Sequence, residues 1–186
     1  MSDFSIQACP LVGLALLERR CIEDHRGFFS RLYCAQELHH AGFDGPVAQI
    51  NQSYTRLRGS VRGLHYQEVP HAEVKFVSVL RGVIFDVAVD LRRGSPTFLQ
   101  WHGETLSRDN RRSMLIPRGF AHGFQALTDD CELIYMHSTS YVPASERGLH
   151  ARDPLLNIPW PLEISDLSAR DAAHALLGPG FTGVSL

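Results

Sequence analysis

The chain of 186 residues is 44% apolar and 20% charged, the balance of a single globular domain over residues 1–186 with a sizeable core. Disorder, collagen-like structure and a coiled coil are excluded. A net charge of −2, from 18 basic and 20 acidic residues, supplies no global field towards nucleic acid or an anionic membrane. Lys75 is the only lysine; the other basic residues are arginine. Either the composition is biased towards arginine, or position 75 needs a compact ammonium that a guanidinium cannot replace.

In chain order, the apolar run Cys9–Leu17 is broken by Pro10 and Gly13 and lacks a basic flank. It reads as an early strand, not a signal peptide or a membrane span, so a cytoplasmic location is expected. Helical periodicity is confined to Ala35–Ala41 and Ser168–Leu177. In the second, Ser168 is placed as N-cap, with Asp171 where a capping-box partner would sit. Between them lie strand candidates at Gln49–Tyr54, Lys75–Leu80, Val83–Leu91, Phe98–Leu106, Ser113–Ile116, Gly123–Leu127 and Cys131–Ser138. Arg81-Gly82 reads as a tight hairpin joining the second and third of these. From Val83 on, the residues Val83, Phe85, Val87, Val89 and Leu91 share one greasy face, and Ile84, Asp86, Ala88, Asp90 and Arg92 a mixed one. Many short strands with peripheral helices predict a mainly β fold, a sandwich or jelly roll. Cys9, Cys21, Cys34 and Cys131 form no C-x-x-C pair, against a disulfide scaffold or a zinc ribbon.

Three segments concentrate unusual residues: Arg62-Gly63-Leu64-His65-Tyr66-Gln67, with Lys75 ten residues after His65; Ile116 to Phe124, containing His122; and Glu132-Leu133-Ile134-Tyr135. Taken singly, a histidine beside a strand or a tyrosine in one is ordinary packing. Polar groups pointing together into a barrel are costly unless used or paired. Pro117-x-Gly119-x-x-His122 matches half of a cupin metal signature. The other half reads His65-Tyr66-Gln67 with Glu73 downstream, one histidine short of a His65, Glu73, His122 metal site.

The runs Arg26-Gly27-Phe28-Phe29, Arg62 to Gln67, Phe85 to Arg92, Ser95-Pro96-Thr97-Phe98, Ile116 to Phe124 and Asp153-Pro154 together resemble the dTDP-4-dehydrorhamnose 3,5-epimerase family. That resemblance implies a cupin-type jelly roll (double-stranded β-helix) with short peripheral helices. It implies a homodimer working without metal or other cofactor, on a nucleotide-linked 4-keto-6-deoxyhexose. By resemblance His65 is the base, Asp171 orients it, Tyr135 is the acid on the opposite face, and Lys75 lies near the developing enolate. Arg26, Gln49, Asn51, Arg62, Glu146 and Arg170 fall on substrate-contact positions, and His122 on a second pocket histidine. Three departures stand out. Arg31 replaces a usual glutamate on the nucleotide-binding side, which opens the identity of the base. Glu73 replaces a common glutamine two residues before Lys75, and is expected to pair with it. Ser140 replaces a tyrosine, which admits a single-site epimerase. Rival readings are a 3,4-ketoisomerase, a metal-dependent cupin oxidoreductase and a sugar-binding protein without catalysis.

Overall fold

The computed structural model describes residues 3–186. Its strands are β1 (Phe4–Ala8), β2 (Ala15–Arg19), β3 (Cys21–Asp24), β4 (Gly27–Ser30), β5 (Gln49–Thr55), β6 (Val61–Gln67), β7 (Lys75–Arg81), β8 (Val83–Asp90), β9 (Trp101–Ser107), β10 (Arg112–Ile116), β11 (Phe120–Ala126), β12 (Cys131–His137) and β13 (Glu146–Gly148). The helices are α1 (Ala35–Ala41) and a single turn, α2 (Ala169–Ala172). Two antiparallel sheets face each other, in the orders β1-β2-β10-β7-β12-β5 and β13-β6-β11-β8-β9, while β3 and β4 form a separate hairpin. This is a mainly β, cupin-type jelly roll. Among the described residues, no helix is long and apolar enough to cross a membrane.

Strand alternation divides the apolar residues into three layers. Leu16, Val77, Val79, Ile84, Met114 and Leu133 pack between the sheets. Leu17, Phe76 and Leu115 take the outer face of the six-stranded sheet, where Leu38 of α1 covers them. Val87, Val89 and Leu91 take the outer face of the other sheet, under Leu156, Trp160 and Leu177 of the C-terminal segment. The greasy face of β8 therefore packs outwards. Its mixed face, with Asp86 fully buried, turns inwards.

Several elements differ from the sequence expectation. β7 and β8 do not form a hairpin: β7 pairs with β10 and β12, and β8 with β9 and β11. Gly82, at φ +80, turns the chain from one sheet into the other, and a Cβ there would stand 2.7 Å from Cys131 Sγ. The run Cys9–Leu17 is a turn through Gly13 (φ +84) leading into β2, closed by Cys9 N–H donating to the Leu14 carbonyl at 3.2 Å. Phe98 to Gln100 form turns before β9, with Leu99 at φ +61. The helix expected over Ser168–Leu177 is one turn long, because the chain leaves it to bring Leu177 onto the outer core and its N–H onto Asp153 Oδ2 at 2.5 Å.

β6 and β11 approach closely at a register shift, and glycine makes this possible. A Cβ on Gly63 would lie 2.6 Å from Gly123 Cα and 2.7 Å from the His122 carbonyl oxygen, at φ +111. The contact sets His65 directly opposite His122. Gly63→Ala is expected to lower unfolding free energy by about 3 kcal/mol in urea titration, from overpacking and backbone strain together. Gly178→Ala, whose Cβ meets nothing within 4 Å, should change it by less than about 0.5 kcal/mol. Equal effects at the two positions would refute the close-approach explanation.

Candidate active site

A cavity of about 1240 Å³ is lined from both sheets. It takes in His65, Asp171, Tyr135, Lys75, Gln49, Asn51, Arg62, His122, Glu146 and Arg170. Arg26 and Arg31 are absent from its wall.

On the five-stranded side, β6 carries His65. Its Nε2 lies 2.7 Å from Asp171 Oδ1, while Asp171 Oδ2 accepts the Gly63 backbone N–H at 3.2 Å. The Ser168 hydroxyl accepts the Asp171 N–H at 3.0 Å, so α2 is capped as expected. The carboxylate itself does not complete a capping box; it reaches into the sheet instead. Burial pushes this carboxyl up, but His65, the Gly63 N–H and Arg170 more than offset that and bring it down to about 2. An ionised carboxylate only accepts, so the neutral His65 ring carries its proton on Nε2 and its lone pair on Nδ1. Arg170 Nη2 also lies 3.1 Å from the same Nε2. His174 packs edge-on to His65 at 5.8 Å, and burial is the largest cause pushing its pKa down.

On the six-stranded side, β12 carries Tyr135, whose hydroxyl meets Ser53 Oγ of β5 at 2.9 Å. Burial drives the phenol well above its ordinary pKa. Lys75, at the start of β7, is 8% exposed and bridges the sheets: Nζ donates to the His65 carbonyl oxygen at 3.2 Å and lies 3.1 Å from Glu73 Oε1. The expected Glu73–Lys75 pair is thus present, although Glu73 precedes the strand instead of lying in it. His122 Nε2 meets the buried Asp86 Oδ1 at 2.7 Å, and its ring is 6.3 Å from that of Tyr135.

The remaining candidates form a rim. Gln49 Oε1 accepts the Tyr141 N–H at 2.7 Å, and Asn51 lies directly opposite Tyr135 in the β5–β12 ladder. Arg62 donates through Nε to Thr55 Oγ1 at 2.9 Å and through Nη2 to the Tyr54 carbonyl at 3.0 Å. Glu146 Oε2 receives Arg170 Nη1 at 2.8 Å and the Tyr141 hydroxyl at 2.9 Å. Arg26 sits at the β3–β4 turn, paired with Asp24 at 2.6 Å, and Arg31 pairs with Asp3 at 2.5 Å. Ser140 is exposed, and its carbonyl accepts from Gln67 at 3.3 Å.

His65, Glu73 and His122 do not fit a metal centre. Each is engaged by a different partner, respectively Asp171, the Lys75 and His137 pair, and Asp86. His65, Asp171 and His174 do bring ligand atoms within 4.8 Å of one another, but Arg170 holds a fixed cation against the first. Sequence reasoning missed Asp86, Ser53 and His137 as site residues. The period-two alternation carried a signal for two of them, since Asp86 lies on the mixed face of β8 and His137 two residues beyond Tyr135.

Two facing antiparallel sheets with a polar cavity between them place the chain in the cupin class. A family model described as dTDP-4-dehydrorhamnose 3,5-epimerase matches residues 8–178. The dTDP-4-dehydrorhamnose 3,5-epimerase of Pseudomonas aeruginosa is 46% identical over 153 residues, covering 82% of this chain and 83% of that one. The dTDP-4-dehydrorhamnose 3-epimerase of Streptomyces niveus is 43% identical over 155 residues, 83% of this chain and 74% of that one. A crystal structure of the Bacillus anthracis 3,5-epimerase with TDP and pyrophosphate bound superposes with a TM-score of 0.90 at 40% identity, covering 94% of this chain and 99% of that one. The chain belongs to the dTDP-4-dehydrorhamnose 3,5-epimerase family and is an isomerase, a carbohydrate epimerase.

The depressed Asp171 pKa ties the site to folding. Its stabilisation is fully present above the unfolded-state value near 4 and is lost as pH falls through about 2. Between those limits the wild type should lose on the order of 2 kcal/mol through this residue. Asp171→Asn is expected to be less stable at pH 7 and to flatten the acid limb, as read by urea unfolding at several pH values. An unchanged acid limb would contradict the assignment.

Proposed function

We propose that the chain epimerises C3, C5 or both of a nucleotide-linked 4-keto-6-deoxyhexose, with dTDP as the carrier, in deoxysugar biosynthesis. The observation that carries the mechanism is the placement of a histidine and a phenol on opposite sheets of one cavity. A carbon held between them has one group on each face. The C–H bonds at C3 and C5 are acidic because they flank the C4 carbonyl. His65, oriented through Nε2 by Asp171, takes the proton at Nδ1, and the electron pair moves into an enolate at O4. Lys75 stabilises that oxygen as a compact charge. Tyr135, kept neutral by burial, returns a proton to the other face of the carbon, and Ser53 solvates the phenolate left behind. One proton leaves and one arrives, so the step is redox-neutral.

Arg62, Arg170, Gln49, Asn51 and Glu146 form the polar rim suited to a diphosphate and a pyrimidine edge. The relatives named above support the dTDP assignment. His122 serves as a substrate contact held by Asp86. Arg26 and Arg31 do not reach their own chain's cavity, and the β3–β4 hairpin exposes Ile22, Phe28 and Phe29 at 59%, 52% and 67%. We assign this hairpin to contact with a second copy in a homodimer, where the two arginines would serve the partner's cavity.

The 43% identity to a 3-epimerase keeps single-site action in view. Incubation with dTDP-4-keto-6-deoxyglucose in heavy water, followed by NMR, decides this. Deuterium at both carbons identifies double epimerisation and deuterium at one the restricted enzyme; none would overturn the proposal. His65→Ala should slow exchange by about 10²–10⁴-fold, and residual exchange near wild type would move the base elsewhere. Lys75→Arg should cut turnover at least about tenfold, because the bulkier fork cannot keep both acceptors and still face O4. Near-normal turnover would return the lone lysine to compositional chance.

A further inference from the structure

Lys75 does not face the cavity alone. His137 lies directly opposite it in the β7–β12 ladder, so two potentially cationic side chains are cross-strand neighbours. Such a pair is unfavourable unless an anion separates them. Glu73 supplies that anion: Oε1 is 3.1 Å from Lys75 Nζ, and Oε2 is 3.3 Å from His137 Nδ1 and 2.9 Å from Gln67 Nε2. Glu73 is 9% exposed, Lys75 8%, and all three line the cavity. His137 Nδ1 is buried and has no hydrogen-bond partner among the described residues, so its 3.3 Å approach to Glu73 is an ion-pair contact. Burial pushes the Glu73 carboxyl up, and His137 with Lys75 more than offset it, so the group is ionised.

A carboxylate in contact with the ammonium cancels much of the charge that Lys75 can present to an enolate oxygen. What remains depends on how much of Glu73's charge is taken up by its other neighbours. Gln67 is neutral and fixed by the His71 carbonyl and the Val142 N–H at 3.1 and 2.6 Å. His137 is the adjustable one.

We propose that Glu73 and His137 are positioning residues that set the effective charge of Lys75, Glu73 anchoring the ammonium while His137 draws the carboxylate's charge away from it. This rests on the enolate reading of the cavity. Neither residue touches the reacting carbon; both act through Lys75. Their effects should therefore fall on proton abstraction and leave nucleotide affinity unchanged.

The test is a double-mutant cycle on the full chain, reading deuterium exchange into dTDP-4-keto-6-deoxyglucose alongside TDP affinity and thermal midpoint. His137→Asn should slow exchange on the order of tenfold, because Lys75 is then the one potentially charged partner left to Glu73 beside the neutral Gln67. Glu73→Gln keeps an acceptor for Nζ but removes the opposing charge, so exchange should be at least as fast as wild type. In the Glu73→Gln background, His137→Asn should have less than a twofold effect. TDP affinity should hold within twofold throughout. If His137→Asn slows exchange equally in both backgrounds, or if Glu73→Gln slows it tenfold, the charge-setting role is overturned. His137→Gln provides a second variant should Asn lower the thermal midpoint. If wild type itself exchanges no deuterium, the enolate reading fails instead, an outcome separate from these.

Discussion

The candidate site depends on one buried carboxylate. Asp171 comes from a segment about a hundred residues away in sequence from the strand it enters, and is 3% exposed there. A buried charge survives only when it is paired and hydrogen-bonded. The Gly63 N–H and the His65 ring meet that need, and the Ser168 cap fixes the backbone from which the side chain starts. The same contacts that make the carboxylate tolerable fix the histidine tautomer. They also draw the C-terminal segment across the outer face of the five-stranded sheet, where Leu177 and Trp160 complete the third apolar layer. Folding and the geometry of the candidate site share this interaction.

In the proposed mechanism, the sandwich gives each sheet one partner of a proton-transfer pair. His65 belongs to the five-stranded sheet and Tyr135 to the six-stranded one. Lys75 crosses between them by donating to the His65 carbonyl. Opposite faces of a bound sugar ring would thereby meet opposite chemical partners without any chain movement. Rigid strands hold such groups more tightly than loops do, and small errors of placement are costly in proton transfer.

Much of this was legible in the sequence, and the failures share a cause. The bounds of α1 matched, and β5, β7, β10 and β12 matched to within a residue, because period-two alternation and local turn residues are short-range signals. Arg81-Gly82 misled because a tight turn looks the same whether the next strand pairs with its predecessor or crosses to the facing sheet. The C-terminal helix shrank to a single turn because the buried Asp171 carboxylate and the partly buried Leu177 outweigh local propensity. The β3–β4 hairpin went unseen, since it packs against neither sheet's strands as part of their ladders and carries exposed Phe28 and Phe29. Among site residues, the cavity brings together ten of those expected and leaves out Arg26 and Arg31. The alternation placed Asp86 on the mixed face of β8, but its pairing with His122 and that of Ser53 with Tyr135 could not be read, because contacts between neighbouring strands have no local sequence pattern.

The division of labour between the two sheets is tested most directly by Tyr135→Phe, scored for deuterium exchange and for product configuration in one sample. The roles assigned to His65 and Tyr135 predict that exchange persists with retained configuration, because the base still works while the acid on the far face is gone. Loss of exchange to the same extent as loss of inversion would contradict separate roles. Unimpaired inversion would remove Tyr135 from the mechanism altogether.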